Sequence, residues 1–203
     1  MRDEIIQKRG YDSSIEGDDL SLKISSYPIT AKYLSVRLAV HGGVICELCC
    51  GIGISLIEFS RHFDTVIGVD NDPYVIESAR NNLQRNKITN YELILGGAED
   101  LDTLHKIDAD IVAYDIPYWS DHGNDAVTGK NPQLSTIIDL IRVNITKNIV
   151  IYAPSDVSYD DIAKITDVFE YQEVWINDKH DRNFIYFGDL IDTLGQSSIN
   201  LTR

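Results

Sequence analysis

The stretch "VICELCCGIGISLIEFSRHFDTVIGVDNDP", residues 44 to 73, decides the fold. An apolar run over 44–48 stops at a turn holding Gly51 and Gly53, an amphipathic segment follows over 55–62, and a second apolar run, 65–69, ends at Asp70. Further runs over 91–95, 111–114 and 148–152 repeat the pattern, with helical stretches over 73–86, 100–105, 133–143 and 159–166 between and after them. Continuous apolar strands separated by amphipathic helices indicate a parallel sheet covered on both faces. The ending differs: "VFEYQEVWIND" and "NFIYFGDLI" flank the polar "KHDR" at 179–182, which reads as an antiparallel hairpin. Ahead of the first strand, Thr30 is placed to N-cap a helix that "HGG" at 41–43 ends. Residues 1–25, polar and with the loop-like "SSIEGDDLS", read as a loosely docked arm before one domain over 26–203.

At 203 residues, 43% hydrophobic and 25% charged, the composition is that of an ordinary globular domain. No apolar run approaches the roughly 20 residues of a membrane span, and "MRDEIIQKRGYD" lacks a secretory pattern, so a cytoplasmic protein is expected. Cys46, Cys49 and Cys50 are odd in number and too close for a disulfide framework. No second Cys/His pair stands at ligand spacing, so they read as small hydrophobes and no metal is expected. The net charge of −14 restricts any nucleic-acid surface to local basic groups. Lys32 and Arg37, then Arg80, Arg85 and Lys87, then Lys179, His180 and Arg182 are the candidates. Lys179 and Arg182 are the choice for an RNA contact, because a hairpin turn there would lie near the strand ends.

Ligands of such sheets bind at the carboxyl ends of the strands. In "ELCCGIGIS" the glycines permit a tight turn and close approach to the backbone, with Glu47 before them and Cys49 inside the turn. A dinucleotide fingerprint needs a third glycine where Leu56 stands, which argues against NAD and FAD. Asp70, nineteen positions after Gly51 and followed by Asn71, is placed to accept both hydroxyls of a ribose, or else to cap the next helix. A nucleoside ligand without pyrophosphate is then indicated, and S-adenosylmethionine fits, with Glu47 toward its ammonium. Glu99, in "GGAED", is placed for an adenine amine or for a helix cap.

The fourth run ends in "DIPYW", Asp115 to Trp119. Asp115-Ile116-Pro117-Tyr118 resembles the [Asp/Asn/Ser]-Pro-Pro-[Tyr/Phe/Trp] signature of methyltransferases acting on exocyclic amines, with Ile116 in place of the first proline. The lone pair of a nucleobase amine is delocalised into its ring. Accepting its N–H groups at the Asp115 carboxylate and the Ile116 carbonyl favours a pyramidal, nucleophilic nitrogen, while Tyr118 or Trp119 stacks on the base. The bland reading is a buried Asp in a turn beside core aromatics.

The open sheet with a C-terminal hairpin is the architecture of class I methyltransferases. From about Tyr27 to Ile191 the chain resembles the trimethylguanosine synthase-like RNA guanine-N2 methyltransferases. "YPIT" at 27–30, with Thr30, looks like that family's aromatic-x-x-Thr; "CCGIGISLIEFS", "VDNDPYVIESARNN" and "NDKHDRNFIYFGDLI" resemble its glycine loop, second motif and last strand. The resemblance implies a Rossmann-like S-adenosylmethionine enzyme with an RNA substrate and an N-terminal arm that completes the site. Asp115 and Gly97 depart from the cap enzymes, which carry Ser and Asp there, so another RNA is expected. A methyltransferase for a protein glutamine or small molecule, or a non-catalytic binding subunit with a protein partner, is the alternative.

Overall fold

The computed structural model describes residues 2–117 and 133–203. Strands β1 (Val44–Leu48), β2 (Thr65–Asp70), β3 (Tyr91–Leu95), β4 (Ile111–Asp115) and β5 (Ile149–Pro154) run parallel. Strands β6 (Glu170–Ile176) and β7 (Lys179–Tyr186) form the hairpin, β7 antiparallel to both β5 and β6. The eight-stranded order is β3-β2-β1-β4-β5-β7-β6-β8, so the chain reverses direction across the sheet between β1 and β4. The carboxyl ends of β1 and β4 therefore flank the switch point where open α/β sheets bind ligands.

Alternate residues along the strands feed two cores. Cys46, Leu48, Val112, Tyr114, Ile149 and Ile151 point to one face and meet Ile137, Ile138 and Ile141 of a helix over Leu134–Asn144. Ile45, Ile111, Ala113 and Val150 point to the other, against helices over Pro28–Leu38, Ile54–Phe59 and Pro73–Arg85. The mostly parallel, doubly covered sheet with its C-terminal hairpin is the architecture expected of this sequence.

Three local expectations are corrected. The helix assigned a Thr30 cap begins at Pro28, with Tyr27 at its N-cap, because proline is preorganised for the first helical turn; Thr30 is buried and donates its hydroxyl to the Tyr27 carbonyl at 2.8 Å. The hairpin turns at Asn177 and Asp178 (φ 48° and 62°), not at 179–182. Asn and Asp tolerate the left-handed conformation that a two-residue turn demands, and "KHDR" is thereby drawn into β7. Finally, residues 2–25 are firmly docked. Helices over Arg2–Arg9 and Asp19–Ile24 bury Ile6 and Leu22, and Tyr11 and Ile15 between them are buried too. Asn82 clasps this segment to the domain: its side chain accepts from the Glu16 N–H at 2.7 Å and donates to the carbonyls of Glu16 and Ile52. The polar composition hid a few well-spaced apolar anchors. Strand β8 (Gly195–Leu201), parallel to β6 at the sheet edge, was also absent from the sequence reading because "GQSSINL" carries no apolar run.

Candidate functional site

A cleft of about 990 Å³ opens at the carboxyl ends of β1, β2, β4 and β5 and is walled on one side by residues 20–26. Its first half is built from the turn after β1. Cys49, Gly51 and Gly53 all hold positive φ, at 62°, 56° and 82°. A side chain at Gly51 would meet nothing in the protein closer than 3.8 Å, so the space beside it is left to the cleft. Gly53 has another purpose: a Cβ there would press on Ala79 at 3.3 Å, where two helices meet. Asp70 accepts from the Gly51 N–H at 3.0 Å and from the Asp72 N–H at 3.1 Å, and burial raises its pKa. The helix after β2 is capped by Asp72, which leaves Asp70 for the cleft.

Glu47 is 2% exposed and lines the cleft, and its Oε2 has no hydrogen-bond partner among the described residues. Burial and the nearby Asp115 charge push its pKa well up, while the Ser55 hydroxyl opposes the shift. A buried, unmatched carboxylate oxygen is costly unless a cation comes to it. The methionine ammonium of S-adenosylmethionine would supply that cation, the Gly51 turn would admit the chain of the ligand, and Asp70 would accept from the ribose. The residues present therefore fit this group.

The second half is made of side chains. Glu47, Asp115, Tyr152 and Arg182 stand on adjacent strands β1, β4, β5 and β7, with Asp115 paired to Tyr152 and Pro154 to Arg182. The Asp115 side chain keeps 31% of its surface exposed, toward the cleft that it lines. Burial of the rest lifts its pKa to about 6 against the opposing pull of Arg182. Arg182 lies 4.0 Å from the Asp115 carboxylate, donates Nε to Asp181 at 2.8 Å and donates Nη1 to the Ser26 hydroxyl at 2.9 Å. Tyr152 is buried beside them, its hydroxyl without a partner among the described residues. Ile116 and Pro117 line the same half, and the Ile116 N–H donates to the Tyr152 carbonyl at 3.2 Å.

Of the residues singled out from sequence, Glu47, Cys49, Gly51, Asp70, Asn71, Asp115, Ile116, Pro117 and Arg182 line the cleft. Thr30 and Gly53 do not; they serve packing. Glu99 is exposed and lies outside the cleft lining, and Asp100 rather than Glu99 caps the following helix. Lys179 is exposed at the hairpin, whereas Arg182 is held by ion pairs with only 13% of its side chain exposed, so it is no free surface cation. Tyr118 and Trp119 fall outside the described residues. The cysteines are free and burial raises all three thiol pKa values, and no group of three metal-ligating side chains occurs among the described residues. Ser26, Ser55, Tyr152 and Asp181 escaped the sequence reading. Only Tyr152 carried a signal, as the polar tip closing an apolar strand.

Residues 45–130 match the family profile described as a methyltransferase domain. A human tRNA (uracil-5-)-methyltransferase homolog A is 40% identical over 60 residues, 30% of this chain and 10% of that protein. A tRNA (guanine(10)-N2)-dimethyltransferase of Methanothermobacter thermautotrophicus is 39% identical over 77 residues, 38% of this chain and 22% of that protein. The chain thus spans between a tenth and a quarter of the length of these curated relatives. A Porphyromonas gingivalis W83 structure assigned as a methyltransferase superposes with a TM-score of 0.76 at 17% identity, over 97% of this chain and 50% of that one, which is a likeness of fold. The fold is shared with methyltransferases, and the residues lining the cleft fit S-adenosylmethionine as cofactor.

Proposed function

We propose that this chain is an S-adenosylmethionine-dependent methyltransferase acting on an exocyclic base amine in RNA, with guanine N2 as the acceptor. The observation that carries this reading is Asp115: a carboxylate facing the cleft at the end of β4, beside the cofactor cradle and followed by Ile116 and Pro117. The bound cofactor supplies an electrophilic methyl carbon on a positively charged sulfur. Asp115 and the Ile116 carbonyl accept the two amine N–H groups and turn the nitrogen lone pair toward that carbon. An amine methylated in this way would shed one proton. Asp115, with a pKa raised to about 6, is matched to receive it. Residues of the 20–26 segment line the cleft beside this end, and Glu47 is buried there.

Both curated relatives are named for tRNA, which supports an RNA acceptor. Their names give different target atoms, uracil C5 and guanine N2, so they do not agree on the acceptor. The guanine assignment rests on the resemblance of the glycine loop and last strand and on the amine-accepting Asp115. The net charge of −14 favours a second reading, a protein or small-molecule acceptor. Mass spectrometry of nucleosides from a deletion strain and its parent separates the two. A methylated guanosine missing from the deletion strain is expected. Identical nucleosides in both strains would overturn the RNA reading.

A further inference from the structure

The step in β7 that carries Asp181 and Arg182 is irregular. Val174 pairs with Arg182 and Trp175 with His180, so Asp181 is an extra residue opposite that step. In a regular strand, neighbouring side chains point to opposite faces. Here the bulge brings both Asp181 and Arg182 to the cleft and bonds them to each other. Bulges recur beside active sites because they re-aim a side chain. Arg182 is further fixed from across the cleft by Ser26, 156 positions away in the chain. Its Nε and Nη1 are thereby engaged, and no partner holds Nη2 among the described residues. The carboxylate of Asp115 stands 4.0 Å from Nη1, an ion-pair separation too long for a direct hydrogen bond.

We propose that Arg182 is the specificity-determining residue that admits guanine, donating to O6 while Asp115 accepts from N1–H and N2–H. This rests on the reading of the cleft as an amine methyltransferase site. The Watson–Crick edge of guanine presents two donors and then an acceptor, in the order N2–H, N1–H, O6. A carboxylate followed by a fixed guanidinium is the complementary series: two acceptors, then a donor. Asp115 Oδ2 is the oxygen nearer Arg182, so it meets N1–H while Oδ1 meets N2–H. Adenine and cytosine place a ring-nitrogen lone pair where guanine has N1–H, against the carboxylate. Uracil offers one N–H between two carbonyls. The pair thus selects by repulsion as well as by attraction. Asp181 and Ser26 hold the guanidinium plane in place before the base arrives, which is what a fixed donor needs in order to discriminate.

The test uses RNA from a strain lacking the protein, incubated with S-adenosylmethionine carrying a deuterated methyl group. Mass spectrometry then locates the label, and calorimetry measures cofactor affinity. Arg182→Met should lower kcat/KM for guanosine labelling about ten- to a hundredfold, the range for losing a good base-edge contact, with cofactor affinity unchanged. Arg182→Lys, which keeps one donor, should retain more of the activity, and thermal melts of both variants report folding. A folded Arg182→Met protein that labels guanosine at the wild-type rate would overturn the proposal. So would a loss of cofactor affinity in step with the rate, which would place Arg182 with the cofactor instead. If the wild-type protein labels no guanosine at all, the guanine reading itself fails, whatever the variants do.

Discussion

Where β1 meets β2, the cleft is lined by a left-handed turn through Cys49 and Gly51, with the Gly51 N–H tied to the Asp70 carboxylate. Where β4, β5 and β7 meet, it is lined by the side chains of Asp115, Tyr152 and Arg182, with Ser26 brought in from the N-terminal segment. The first half joins elements that are neighbours in sequence and presents a shape suited to one invariant ligand. The second joins residues from opposite ends of the chain, and a single substitution there alters which groups donate and which accept. A cofactor shared by many reactions suits the first kind of wall, and an acceptor that differs from enzyme to enzyme suits the second. If that division holds, substitutions in one half leave the function of the other untouched.

Asp115 tests the division with the largest effect. Asp115→Ala should lower methyl transfer by about 10²–10³-fold while cofactor affinity in calorimetry stays the same. Asp115→Asn, still able to accept one N–H, should retain part of the activity. Stability moves the other way. The folded-state pKa of about 6 lies above the ordinary 3.8, so the folded protein binds more protons than the unfolded chain between those values. This group's contribution to stability is therefore lost as pH rises through about 6, whereas on the proposed role of the carboxylate activity should rise over the same window. Removing the charge in Asp115→Asn should raise the melting temperature at pH 8 but not at pH 4. With 31% of the side chain exposed, screening holds that gain to about 2–4 °C, or roughly 1 kcal/mol. Equal losses of cofactor affinity and turnover in a destabilised Asp115→Ala protein would instead make Asp115 a structural residue.

The half beside β1 and β2 is tested by a pair of variants with opposite readouts. Asp70→Ala should weaken S-adenosylmethionine binding by about 1–3 kcal/mol, through the ribose contact and the released Gly51 N–H. Gly53→Ala should cost about 1–2 kcal/mol of stability, since a non-glycine residue is strained at φ 82° and its Cβ meets Ala79 at 3.3 Å. Its effect on bound cofactor should be small. Calorimetry and denaturant titration of both proteins check the contrast. Unchanged cofactor affinity in Asp70→Ala would remove that residue from the site.

The same division explains how much could be read from sequence. The parallel strands, the glycine turn and Asp70 follow from local patterns, because each is made by residues within a few positions of one another. Asp115 was legible because it closes an apolar run and precedes Pro117. Tyr118 and Trp119, the stacking candidates, lie outside the described residues. The contact between Arg182 and Ser26 was not legible, since nothing local marks residues so far apart as partners. The bulge at Asp181 was hidden for a related reason: "KHDR" is polar enough to pass for a turn, and only the cross-strand register shows that the turn precedes it. Residues 2–25 look like a solvated arm because Ile6, Tyr11, Ile15 and Leu22 follow no single period, yet all four are buried.

The smallest effect is expected at Lys179. It opens β7 directly after the Asn177–Asp178 turn and is exposed beyond the carboxyl end of β5, where Pro154 pairs with Arg182. Of the two residues expected to meet phosphate, Lys179 is exposed and is the one proposed for that contact, whereas Arg182 is committed to Asp181 and Ser26. Lys179→Glu should therefore weaken binding of RNA from the deletion strain modestly and uniformly across sequences. The dependence of log affinity on log salt should become shallower by about one unit, the signature of one lost phosphate contact. Cofactor affinity and the choice of guanosine should not move, because Lys179 lies outside the cleft lining. Filter binding across a salt series checks this. In a chain of net charge −14, few phosphate contacts are available, and the wild-type slope itself should be small. If RNA binding were indifferent to salt in both proteins, phosphates would play no part in recognition, and the acceptor half would have to be explained by a protein or small-molecule substrate.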